Sequence, residues 1–98
     1  MLQVAGTIQA RFVRLLFKKN GERVLNAKGE GLSKVTYIII SDEQFIDATI
    51  VTELVKTDNY DDCYSVGEKV IVPVTVTVYN NKPEFCRYIP EAFYGEHF

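Results

Sequence analysis

The sequence predicts an all-β fold, with five antiparallel strands closing a small barrel. Three observations carry this expectation. Runs rich in Val, Ile, Thr and aromatic residues recur between turn signals along the 98 residues. No strong amphipathic helix separates them, which excludes alternating βαβ units. The first run, VAGTIQARFVRLLF from Val4 to Phe17, has a glycine near its start and changes its apolar parity partway. A strand with an early glycine and a later bulge can bend across both sides of a barrel.

In that first strand Val4, Ile8, Ala10 and Phe12 share one parity and are the expected core face. After Phe12 the apolar positions become Val13, Leu15 and Phe17, so the bulge is expected there. Residues 18–34, KKNGERVLNAKGEGLSK, are polar and basic, with turn signals at Asn20-Gly21 and at Gly29 and Gly31. They read as a long basic loop or a protruding hairpin. Val35 to Ser41, VTYIIIS, is a second strand rich in β-branched residues. Asp42-Glu43 turns it into a third, Gln44 to Val51, in which Ile46, Ala48 and Ile50 share a face. Residues 52–65, TELVKTDNYDDCYS, read as a connector, in which TELVK is either one short helical turn or the end of a strand. Val66-Gly67-Glu68-Lys69 launches a fourth strand, Val70 to Tyr79, whose Pro73 argues for an edge or a bulge. Asn80-Asn81-Lys82 is a hairpin tip, and Glu84 to Ile89 is the fifth strand. One domain over residues 1–90 is expected, with 91–98 a short aromatic and acidic tail.

Composition narrows the function. No apolar run approaches the roughly 18 residues that cross a bilayer, and MLQVAGTIQAR lacks the basic flank and apolar core of a secretion signal. A soluble, cytoplasmic protein with no membrane partner is expected. Without a secretion signal, Cys63 and Cys86 are expected as reduced thiols. His97 stands next to the C-terminus and is the only histidine, so a zinc site of four Cys or His ligands is not expected. Asp61-Asp62 sits in a turn-like segment, and no phosphate-loop, HExxH or GxSxG motif occurs. The expectation is no catalytic residue, no cofactor and no metal.

The net charge of −2 hides a split. Residues 1–40 hold seven basic side chains against Glu22 and Glu30, giving +5, while residues 41–98 give −7. A basic half on an acidic chain points to a local polyanion-binding surface.

The order of elements carries a resemblance. A long coiled first strand with Gly6, a basic loop, a tight 2–3 hairpin, a connector, the SVGEKVIVPV entry to strand four and a 4–5 hairpin together resemble the OB-fold over about residues 3–90. That is a five-stranded Greek-key barrel whose first and last hairpin loops flank the ligand face. The architecture is similar to the small helix-destabilising proteins of phages and plasmids, which coat single-stranded DNA during replication or transfer. The resemblance implies a non-catalytic, sequence-tolerant binder of single-stranded DNA, with RNA as an alternative ligand. It implies the cytoplasm of a host cell if the source is a phage or plasmid. A homodimer or higher oligomer is expected, because one small barrel offers few nucleotide contacts.

Such binding needs cations along the phosphates and flat side chains under the bases. The candidate cations are Arg11, Arg14, Lys18, Lys19, Arg23, Lys28 and Lys34 from the first strand and loop, with Lys82 and Arg87 from the last hairpin. The candidate stacking residues are Tyr37, Phe45 and Tyr79, with Phe85 and Tyr88 balanced against ordinary packing. The tail AFYGEHF loosely resembles the partner-recruiting tips of bacterial single-stranded DNA-binding proteins; Phe93, Tyr94 and Phe98 could equally pack on a neighbouring subunit. The alternative reading is a small β-barrel protein-interaction module or structural subunit.

Overall fold

The computed structural model describes residues 2–41, 48–79 and 81–88, with Tyr79 placed by its backbone. Five strands form: β1 (Leu2–Leu15), β2 (Leu32–Ile40), β3 (Ala48–Lys56), β4 (Lys69–Tyr79) and β5 (Lys82–Arg87). They hydrogen-bond in the closed order β1-β2-β3-β5-β4 and back to β1. Every pair is antiparallel except β3 with β5. No helix occurs among the described residues, and none is long and apolar enough to cross a membrane.

β1 closes the ring because it changes partners along its length. Leu2 to Thr7 pair with β4, and Thr7 to Leu15 pair with β2. Gly6 stands where β1 passes close against the end of β2, since a Cβ there would collide with the Ile40 carbonyl. The register of β1 against β2 slips between Ile8 and Ala10. The bulge therefore lies at Gln9, three residues before the expected place. Every later residue changes face: Phe12 turns outward opposite Thr36 and is 58% exposed, not core. Val13 and Leu15 take the inward parity opposite Val35 and Ser33.

Inside the ring, period-two alternation aims Val35, Tyr37 and Ile39 of β2, Val51 of β3, and Val70, Val72 and Val74 of β4 at Ile8. Most are β-branched residues, which pack well on a pleated face. Burial of each such side chain contributes about 1.5–3 kcal/mol. The connector begins later than expected. Of the two readings of TELVK, the strand end holds and the helical turn does not: it closes β3, and Thr57 to Glu68 run as turns. Tyr60, Cys63 and Tyr64 from it pack against the core and cover one end of the ring.

Pro73 sits within the ladder, opposite Gln3 of β1. Its carbonyl accepts from Tyr88 N–H at 2.8 Å, so its missing donor faces the side where β5 runs out. At the other end Tyr79 pairs with Lys82, and Asn81 takes the left-handed φ of 63° that asparagine tolerates in a tight turn. The expected 42–43 turn lies outside the described residues, but the β2–β3 ladder runs antiparallel from Leu32↔Lys56 to Ile40↔Ala48.

Candidate nucleic-acid interface

The β1–β2 connection is a hairpin held by two tight turns. Phe17 bridges to Arg23 and Leu25 to Gly31. Asn26 is buried and organises the second turn: its Oδ1 accepts from Lys28 N–H at 2.9 Å and Glu30 N–H at 3.0 Å. Lys18, Lys19 and Lys28 are thereby carried outward on the turns. Arg23 faces the other way. Its guanidinium donates to the Leu16 and Leu32 carbonyls and, at 2.7 Å, to Thr57 Oγ1, and lies 5.4 Å over the Phe17 ring. Arg23 therefore staples the hairpin to the end of the ring.

Tyr37 is fully buried, so its ring faces are closed to a base. Its hydroxyl donates to Glu53 Oε2 and accepts from Tyr64 N–H at 3.1 Å, and its ring meets Tyr64 edge-on with centroids 5.5 Å apart. Burial, then the Glu53 carboxylate, push the phenol far above its ordinary titration range. Arg87 belongs to the same cluster. Nη1 donates to Glu53 Oε2 at 3.2 Å and to the Asp62 carbonyl at 2.8 Å, with the guanidinium 4.2 Å over Tyr64. Burial opposes its charge, but Glu53 outweighs it and holds the pKa above normal. Arg11, on the inward parity of β1, donates to the Tyr64 carbonyl at 3.2 Å. These three side chains tie the connector to the ring; Tyr37 and Arg87 leave the candidate set for ligand contact. Burial pushes the neighbouring Cys63 thiol up.

The outward face of β1, β2 and β3 gathers a different group. Opposed residues share a face, so three rungs run across it: Ala10–Ile38–Ile50, Phe12–Thr36–Thr52 and Arg14–Lys34–Leu54. At about 4.8 Å per strand and 3.3 Å per residue, the rungs span roughly 10 by 13 Å. Phe12 at 58%, Ile50 at 57% and Leu54 at 43% leave much of it apolar and open. Beside it, a shallow groove of about 210 Å³ runs between β3 and β5, lined by Ile50, Thr52, Pro83, Glu84 and Phe85. Lys34 reaches across to Glu84 at 3.3 Å. Arg14, Lys18, Lys19, Lys28 and Lys82 are exposed and make no ion pair among the described residues. Phe45 lies outside the described residues, and Tyr79 is fixed only as the last position of β4.

Phe12, Ile38, Ile50 and Leu54 are absent from the sequence-derived site. One signal for this face was available: Ile38-Ile39-Ile40 puts apolar side chains on both faces of β2, which is the pattern of a strand covered on both sides. Among the described residues, no group of His, Cys, Asp or Glu is placed to hold a metal ion. Comparison with protein-family models, with curated proteins and with solved structures returns no match.

Proposed function

We propose that this chain is a non-catalytic, sequence-tolerant single-stranded DNA-binding protein acting in DNA replication or transfer, with its ligand on the outward face of β1–β2–β3. The observation that carries the reading is that face itself: an open apolar surface around Phe12, flanked by Arg14, Lys18, Lys19 and Lys28. Stacking on a flat ring and cations along the backbone are the two requirements for binding an unpaired strand. The reading takes the ring as a Greek-key barrel of OB type. In its favour, the strands stand in the spatial order 4-1-2-3, with the long β3–β4 connection returning β4 beside β1. The 2–3 face and the first hairpin of that fold are its ligand surface.

A fluorescence titration with labelled oligo-dT at moderate salt tests the proposal against a duplex of equal length. Oligo-dT binds more tightly, because duplex bases are stacked away from the protein. Phe12→Ala weakens oligo-dT binding about tenfold, the loss of one base stack of about 1–3 kcal/mol. Equal affinity for oligo-dT and duplex, or an unchanged affinity in Phe12→Ala, overturns the proposal.

A further inference from the structure

Among the described residues, the second edge of β1 beyond Ile8 is unpaired. Ile8 itself is taken: its N–H donates to the Glu68 carbonyl at 2.9 Å and its carbonyl accepts from Gly67 at 2.8 Å. Pairing with β4 ends at Thr7. Past the bulge, Leu16 N–H donates to the Leu32 carbonyl, so even-numbered residues of this segment bond toward β2. The backbone groups of Arg11, Val13 and Leu15 consequently point away from β2, and no backbone hydrogen bond from another described residue meets them. Val13 and Leu15 are also 44% and 43% exposed. A bare strand edge with apolar side chains is a template for another strand.

We infer that this edge, Arg11 to Leu15, pairs antiparallel with the same edge of a second copy of the chain about a two-fold axis at Val13. The edge is self-complementary in that register. Val13 meets the partner's Val13, Arg11 meets the partner's Leu15, and Leu15 meets the partner's Arg11. Each pair then exchanges both hydrogen bonds, using every free backbone group of the segment. On the outward face Phe12 meets the partner's Arg14, placing a guanidinium beside a ring. Registers centred on Arg11 or Arg14 set two arginines face to face and are disfavoured. An isologous pairing of this kind closes after two copies and leaves no growing edge at this site. It also joins the two outward β1–β2–β3 faces into one surface. The pairing stands on main-chain geometry and does not depend on what that surface binds.

Sedimentation equilibrium without nucleic acid tests it. At tens of micromolar the expected species has twice the 11.2 kDa chain mass. In a Cys63→Ser, Cys86→Ser background, Val13→Cys forms a dimer disulfide under oxidised glutathione, because opposed Cα atoms about 5.5 Å apart lie within disulfide reach. Leu25→Cys, on a residue as exposed but away from the edge, does not. Val13→Lys, which sets two ammonium groups opposite each other, gives a monomer; circular dichroism checks that it folds, and the cross-link stands independently of it. A wild-type monomer overturns the inference. So does cross-linking through Phe12→Cys or Leu25→Cys in preference to Val13→Cys. A monomer that dimerises only once residues 89–98 are removed assigns the edge to the chain's own tail and overturns it too.

Discussion

Replacing Arg87 by methionine tests whether this arginine holds the fold or waits for a ligand. Glu53 is 5% exposed and its carboxylate is held by Arg87 Nη1 at 3.2 and 3.4 Å and by the Tyr37 hydroxyl. Methionine keeps the aliphatic bulk but leaves the carboxylate with one neutral donor. Breaking a buried pair from one side costs about 3–5 kcal/mol, because the remaining charge has neither water nor a countercharge. The bond to the Asp62 carbonyl and the stacking over Tyr64 are lost as well. Against a total stability of about 5–15 kcal/mol for a small domain, that is a large fraction. Urea unfolding followed by circular dichroism reads it as a fall in midpoint at constant slope. Adding Glu53→Gln to Arg87→Met removes the stranded charge and recovers a good part of the loss, whereas Glu53→Gln in the wild type does not stabilise. A cost below about 1 kcal/mol for Arg87→Met, in the range of an exposed ion pair, or no recovery in the double variant, would refute the reasoning.

Three further outcomes follow from the same geometry. Because the folded Tyr37 phenol titrates well above the ordinary value of 10.0, the folded state keeps a proton that the unfolded chain releases. This contribution is fully present below about pH 10 and is lost above it, by up to about 1.4 kcal/mol per pH unit. Tyr37→Phe flattens that alkaline decline while lowering stability near neutrality by about 1–3 kcal/mol, since Glu53 loses a donor; unfolding curves from pH 8 to 11 check both. Gly6→Ala destabilises by about 1–3 kcal/mol or more, because its methyl meets the Ile40 carbonyl, a backbone atom with no rotamer to yield. Thermal unfolding measures it, and a neutral result means the β1–β2 crossing is looser than described. Lys18→Ala with Lys19→Ala lowers the salt dependence of oligo-dT binding by about 0.7 for each phosphate no longer neutralised, while leaving urea stability unchanged. An unaltered salt slope removes the hairpin from the ligand path.

Much of the chain's organisation was legible from local pattern alone. The strands at VTYIIIS and VIVPVTVTVY and the hairpin tip at Asn81 follow from β-branched runs punctuated by turn residues, which is a property of neighbouring residues. The basic first hairpin was equally readable, because charge and glycine turns need no distant partner. What only the tertiary structure decided is which side chains face in. The bulge at Gln9 sits beside the place where β1 leaves β4 for β2, and that change of partner depends on residues some 30 and 60 positions away. A one-residue slip there turned Phe12 to the outward face and Val13 to the inward parity, where it is still 44% exposed. The same holds for Tyr37. Its hydroxyl requires a polar partner, which from sequence alone favours the surface. In the fold, β3 extends through TELVK and brings Glu53 inside the ring opposite Val35, and Arg87 arrives from β5 to neutralise it. A buried charge is tolerable only when its partner is already in place. That partner lies 34 residues along the chain, beyond the reach of any local periodicity.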